Sequence, residues 1–107
     1  MAGVRLIVQF TAESAELADR AVQEATERCK RVQQEPGCLQ FEVFRSALRP
    51  EQYVLLEHWE TPEALAAHAQ RMAANPPPRH PGIRRVREDY AYAETSAAAP
   101  PAATQAR

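Results

Sequence analysis

Between Glu35 and His68 the chain runs EPGCLQFEVFRSALRPEQYVLLEHWETPEALAAH, two apolar strands, a tight connection and a helix start with almost no residues to spare. Both strands read as buried on two faces. Leu39, Phe41 and Val43 fall on one side of the first and Phe44 on the other, while the second sets Leu55 and Trp59 opposite Val54 and Leu56. One layer of helices covers only one face of a sheet. The other face needs a second protein surface, and for a chain this short that means a second copy, so the pattern predicts a homodimer.

The segments on either side extend the pattern. Val4, Leu6, Val8 and Phe10 alternate with Arg5, Ile7 and Gln9, the period-two signature of a strand. From about Ser14 to Gln33 the period lengthens, and Leu17, Ala21, Val22, Ala25, Cys29 and Val32 trace one helical face. Acidic side chains gather at the start of this helix and basic ones at its end, as the dipole favours, and Glu16/Arg20, Glu24/Arg28 and Glu27/Arg31 are spaced for i,i+4 pairs. Glu35-Pro36-Gly37 stops it. Strands over about Cys38 to Arg45 and Gln52 to Glu60 then pair antiparallel across Ser46 to Glu51. Thr61 and Pro62 open a second helix as N-cap and first helical residue, and that helix runs to about Ala74. Asn75 to Gly82 is proline-rich and reads as a loop. Val86 to Tyr92 forms a more polar fourth strand suited to an edge. The order β-α-β-β-α-β is the ferredoxin-like α+β arrangement, an antiparallel sheet with both helices on one face. The expected domain is residues 1–94. Residues 95–107 are rich in Ala and Pro with no large apolar side chain and read as a disordered tail.

Charge and cysteine usage exclude several classes of function. Thirteen basic residues against fourteen acidic ones leave a net charge of -1, so no global field exists to hold nucleic acid or an anionic bilayer. No apolar run is long enough for a membrane span and no charged leader precedes the first strand, which predicts a cytoplasmic protein. Cys29 and Cys38 lie outside zinc-binding spacings and read as buried free thiols. The histidines at 58, 68 and 80 lack i,i+4 pairing, so no metal site is expected.

Glu35-Pro36-Gly37-Cys38, Phe41-Glu42-Val43-Phe44-Arg45, Glu57-His58-Trp59 and Ala64-Leu65-Ala66-Ala67-His68, in that order, give the chain its resemblance to the antibiotic biosynthesis monooxygenase domain family. It is most similar to the small bacterial quinol-monooxygenase-type members, over about residues 4 to 75 and more loosely over the last strand. The resemblance implies a dimeric α/β barrel in which two sheets meet face to face and each subunit holds a pocket between sheet and helices. It also implies a reaction in which an electron-rich hydroxylated aromatic, such as a quinol or anthrone, reacts with dioxygen without metal or flavin, so no cofactor is expected. Haem-degrading relatives use an asparagine on the first strand and an aromatic on the second helix as well as a haem-ligating histidine. The comparable positions here are Gln9 and His68, a departure from that pattern. The Pro76 to Gly82 segment stands where relatives continue with a further helical turn.

His68, three residues after Leu65 and four before Met72, lies on the apolar stripe of the second helix and is the candidate catalytic base. The alternative for it is a core histidine satisfied by a backbone carbonyl. Trp59 offers an aromatic wall for a flat substrate, and Tyr53 and Tyr90 offer hydroxyl donors. All three are weighed against ordinary packing roles. His58 faces away from Trp59 and is read as structural or interfacial. Glu57, a charge in an apolar strand, is expected to find a cation such as Arg45 or a donor from a partner subunit. The leading functional reading is a cofactor-independent monooxygenase acting on a small quinol-like or polycyclic phenol. The alternatives are a non-catalytic dimeric binding or stress-response module, and an isomerase or lyase using His68 without oxygen.

Overall fold

The structure is a computed structural model and describes residues 3–90. The expected tail at 95–107 and Tyr92 lie outside the described residues. Elements follow in the order β1 (Val4–Ala12), α1 (Ala15–Val32), β2 (Cys38–Arg45), β3 (Gln52–Trp59), α2 (Pro62–Ala74) and β4 (Ile83–Tyr90). The sheet has strand order β2-β3-β1-β4 with every pairing antiparallel, the ferredoxin-like α+β arrangement. The fourth strand starts three residues before Val86, so Ile83, Arg84 and Arg85 belong to the sheet.

Local chemistry fixes both helices. Ser14 Oγ accepts a hydrogen bond from the Leu17 amide at 3.1 Å, and Thr61 Oγ1 accepts one from the Ala64 amide at 3.1 Å, each satisfying an otherwise unpaired helix donor. Pro62 occupies the first turn of α2, where its missing N–H costs nothing. The buried stripe of α1 is Ala18, Ala21, Ala25, Cys29 and Val32. It is turned slightly from the expected one, with Leu17 and Val22 at its flank. The i,i+4 pairs foreseen on this helix give way to others. Glu27 bonds Lys30 at 3.1 Å, and Glu24 bonds His80 of the distant proline-rich loop at 2.7 Å.

The core lies between the sheet and the helices, around Trp59, Phe41, Val8, Leu55, Cys29 and Val32. Phe41 meets Trp59 edge-on with ring centroids 6.3 Å apart. One expected core residue is absent from it. The β2–β3 register slips between Cys38 and Gln40, a bulge that leaves Leu39 unpaired and 57% exposed.

Gly37 ends the turn after α1 with φ +81° and presents its carbonyl to the Glu60 amide at 2.7 Å, tying that turn to the start of α2. A Cβ here would stand 2.5 Å from the Ala64 Cβ. Gly37→Ala is therefore expected to cost about 2 kcal/mol, from left-handed strain plus the clash. Thermal unfolding checks this, and an unchanged midpoint would refute it.

Candidate active site

A cavity of about 640 Å³ opens between the helix-facing side of the sheet, α1, α2 and the loop of Pro76 to His80. Its volume falls in the range of small-molecule sites. Val8, Phe10, Phe41, Val43 and Leu55 give it an apolar floor, and small residues at Ala21 and Ala25 keep α1 from filling it.

His68 borders this cavity and is the buried residue of α2, 5% exposed. Its ring stacks on Trp59 at 4.7 Å and meets the edge of Phe41 at 5.3 Å, which fixes the imidazole plane. Nδ1 lies 3.0 Å from Glu35 Oε1, and the same oxygen accepts from Arg71 Nη1 at 2.7 Å. A carboxylate accepts only, so Nδ1 carries a proton, and in the neutral imidazole the lone pair is then on Nε2. Nε2 has no partner among the described residues. The satisfying group expected for a core histidine was a backbone carbonyl, and here it is a carboxylate on the turn after α1. A base oriented by a half-buried carboxylate, with its other nitrogen unclaimed beside a cavity, is the arrangement that general-base catalysis uses.

Glu57 does not pair with Arg45. Arg45 is committed to Asp19 at 2.9 Å and to the Pro50 and Ala15 carbonyls. Glu57 instead accepts the Trp59 indole N–H at 2.9 Å, two residues along its own strand, and lies on the helix-facing side of the sheet. The signal was present in the sequence, because residues two apart on a strand share a face.

The other candidates separate. Tyr53 is buried, lines the cavity and stacks on Phe10 at 4.8 Å. Burial raises its hydroxyl above the usual tyrosine range, and Arg28 pulls the other way. Trp59 is fully buried behind His68 and is not among the cavity-lining residues, so it supports the imidazole and does not form a wall. Tyr90 pairs with Arg5 on the opposite face of the sheet and donates to Glu88 at 2.9 Å, away from the cavity. His58 also faces that side, 3.3 Å from Arg5. Gln9 is on the far face as well, so on β1 it is Val8 and Phe10 that reach the cavity. Sequence reasoning missed Arg28 and His80, which line the cavity together with Arg85 because α1, β4 and the proline-rich loop converge there.

Burial raises both thiols, Cys38 to about 11 with the Glu35 and Glu57 carboxylates adding to the effect, so neither is a poised nucleophile. Among the described residues no three His, Cys, Asp or Glu side chains group so as to hold a metal ion, and no helix is long and apolar enough to cross a membrane.

The model of the antibiotic biosynthesis monooxygenase family matches residues 3–75, and the chain belongs to that family. Among curated proteins none matches it. Solved structures share the fold. A Bacteroides thetaiotaomicron protein described as a possible oxidoreductase is 23% identical over 83% of this chain and 96% of its own, with a TM-score of 0.67. A candidate antibiotic biosynthesis monooxygenase from Deinococcus radiodurans is 22% identical over 86% and 95%, with a TM-score of 0.65. The Mycobacterium tuberculosis heme-degrader MhuD, solved with two hemes in its active site, is 23% identical over 86% and 99%, with a TM-score of 0.59.

Proposed function

We propose that the chain is a homodimeric monooxygenase that oxidises a small quinol-like or polycyclic phenolic substrate with dioxygen, using no metal or organic cofactor. The observation that carries this reading is His68, held by Glu35 and Trp59 with Nε2 unclaimed beside a cavity with an apolar floor. Removing a phenolic or activated C–H proton to Nε2 makes the ring an electron-rich anion that can reduce dioxygen. The apolar floor desolvates that anion. For an anthrone-type phenol the balance is a ring CH2 plus O2 giving C=O plus water, with all four electrons supplied by the substrate. Tyr53 is the residue assigned to bind the substrate ring or its oxygen. Two unpaired thiols suit a reducing compartment, and the proposed location is the cytoplasm.

Oxygen uptake by metal-free and flavin-free protein with a panel of hydroquinones and anthrones tests the reading. Uptake that saturates with one substrate class is expected. No uptake with any of them would reject the oxygenase and leave a dimeric binding module. Turnover that continues without oxygen would point to isomerase or lyase chemistry.

The homodimer rests on the sheet face that carries no helices, where Ile7, Val54, Leu56, Phe44, Val86 and Tyr90 gather. Phe44, Val86 and Tyr90 are 43%, 51% and 48% exposed. An apolar face of that extent is costly in water. Light scattering is expected to give twice 12.0 kDa. Leu56→Asp, which sets a charge in the middle of this face, is expected to yield monomer or unfolded chain. A wild-type monomer at micromolar concentration would refute the assembly.

A further inference from the structure

Arg28 has no role in the chemistry described so far, yet its Nε is buried and has no hydrogen-bond partner, unlike every other buried side-chain nitrogen or oxygen among the described residues. A buried N–H left unpaired costs about 1–3 kcal/mol. The sequence supplies an obvious partner one turn earlier, Glu24, at the i,i+4 spacing that normally closes such a pair. That carboxylate instead bonds through Oε1 to His80 of the proline-rich loop at 2.7 Å, and no bond to Arg28 Nε forms. The other cavity carboxylate, Glu57, accepts from Trp59. Arg28, Arg79 and Arg85 border the cavity against those two committed carboxylates, so its charge balance is positive.

We infer that the cavity selects an acidic aromatic, a phenolic ring that also carries a carboxylate, with Arg28 as the counter-ion for that carboxylate. This deepens the proposed oxidative reading by naming the substrate class. The Nε–H and one Nη–H of a guanidinium form a planar fork that matches the two oxygens of a carboxylate. A rotation of the flexible side chain turns that edge toward the cavity and satisfies the Nε. The apolar floor takes the rings. His68 on α2 and Arg28 on α1 then divide the work, His68 receiving the ionising proton while Arg28 holds the group that is already charged.

Calorimetric titration with 2-naphthoate and 2-naphthamide tests this. The two have nearly the same shape, differ in charge and are not oxidised, so the measurement stands apart from turnover. Wild-type protein is expected to bind the naphthoate roughly tenfold more tightly than the amide, as a paired carboxylate requires. Arg28→Met should abolish that preference while leaving the amide affinity unchanged, and Arg28→Lys should keep a reduced preference. Added salt should weaken the naphthoate alone, which tests wild type even if Arg28→Met fails to fold. Equal affinities in wild type, no naphthoate binding, or a preference that survives in folded Arg28→Met would overturn the inference. Failure of oxygen uptake with intact naphthoate selectivity would instead reject only the oxygenase reading.

Discussion

His68→Ala is expected to lower oxygen-dependent turnover by about 10²- to 10⁴-fold, the usual scale for losing a positioned base. The same change also removes a buried ring that stacks on Trp59 and meets the edge of Phe41, and strips Glu35 of one of its two donors. A stability loss of about 1–3 kcal/mol should therefore accompany it. His68→Asn separates the two effects. Its side-chain amide can still donate toward Glu35 but offers no basic nitrogen, so it should recover stability and not turnover. Glu35→Gln keeps an acceptor for Nδ1–H and removes the negative charge, and is expected to slow turnover by roughly tenfold. Unchanged turnover per folded molecule of His68→Asn would remove the imidazole from the mechanism, and Tyr53 would be the next group to replace.

The elements were legible because each rests on local rules: the two periodicities, the Ser14 and Thr61 caps, the Pro-Gly stop after α1. The position of His68 was legible too, since helical spacing alone sets it on the stripe facing the sheet. Its partner was not. Glu35 reaches Nδ1 only because the α1–β2 turn is held against α2 at Gly37, a contact between segments 33 residues apart in the chain. Leu39 misled for a related reason, as strict alternation holds only until a bulge shifts the count by one. The same geometry decides the tyrosines, because the facing of Tyr90 depends on how β4 registers against β1. Arg28 also looked paired from spacing alone, and only the path of the proline-rich loop draws Glu24 away to His80.

Trp59→Ala is expected to be the most destabilising single change, by about 3–5 kcal/mol, since it empties the largest buried side chain in the core. Its more informative companion is Trp59→Phe. Phenylalanine keeps most of the apolar contact with Phe41 and His68 but has no N–H, so the buried Glu57 Oε1 loses its 2.9 Å donor. Leaving a buried acceptor unpaired costs about 1–3 kcal/mol, more for a charged group. If that is the main cost, Glu57→Leu in the Trp59→Phe background should restore much of it, because both polar partners are then gone. Glu57→Leu alone should be destabilising, as it strands the indole N–H. Denaturant unfolding of the four proteins measures the coupling directly. Strictly additive losses would mean that the indole and the carboxylate do not depend on each other. A strong coupling would establish Trp59 as the strut that both holds the His68 ring and keeps the Glu57 charge tolerable at the edge of the cavity.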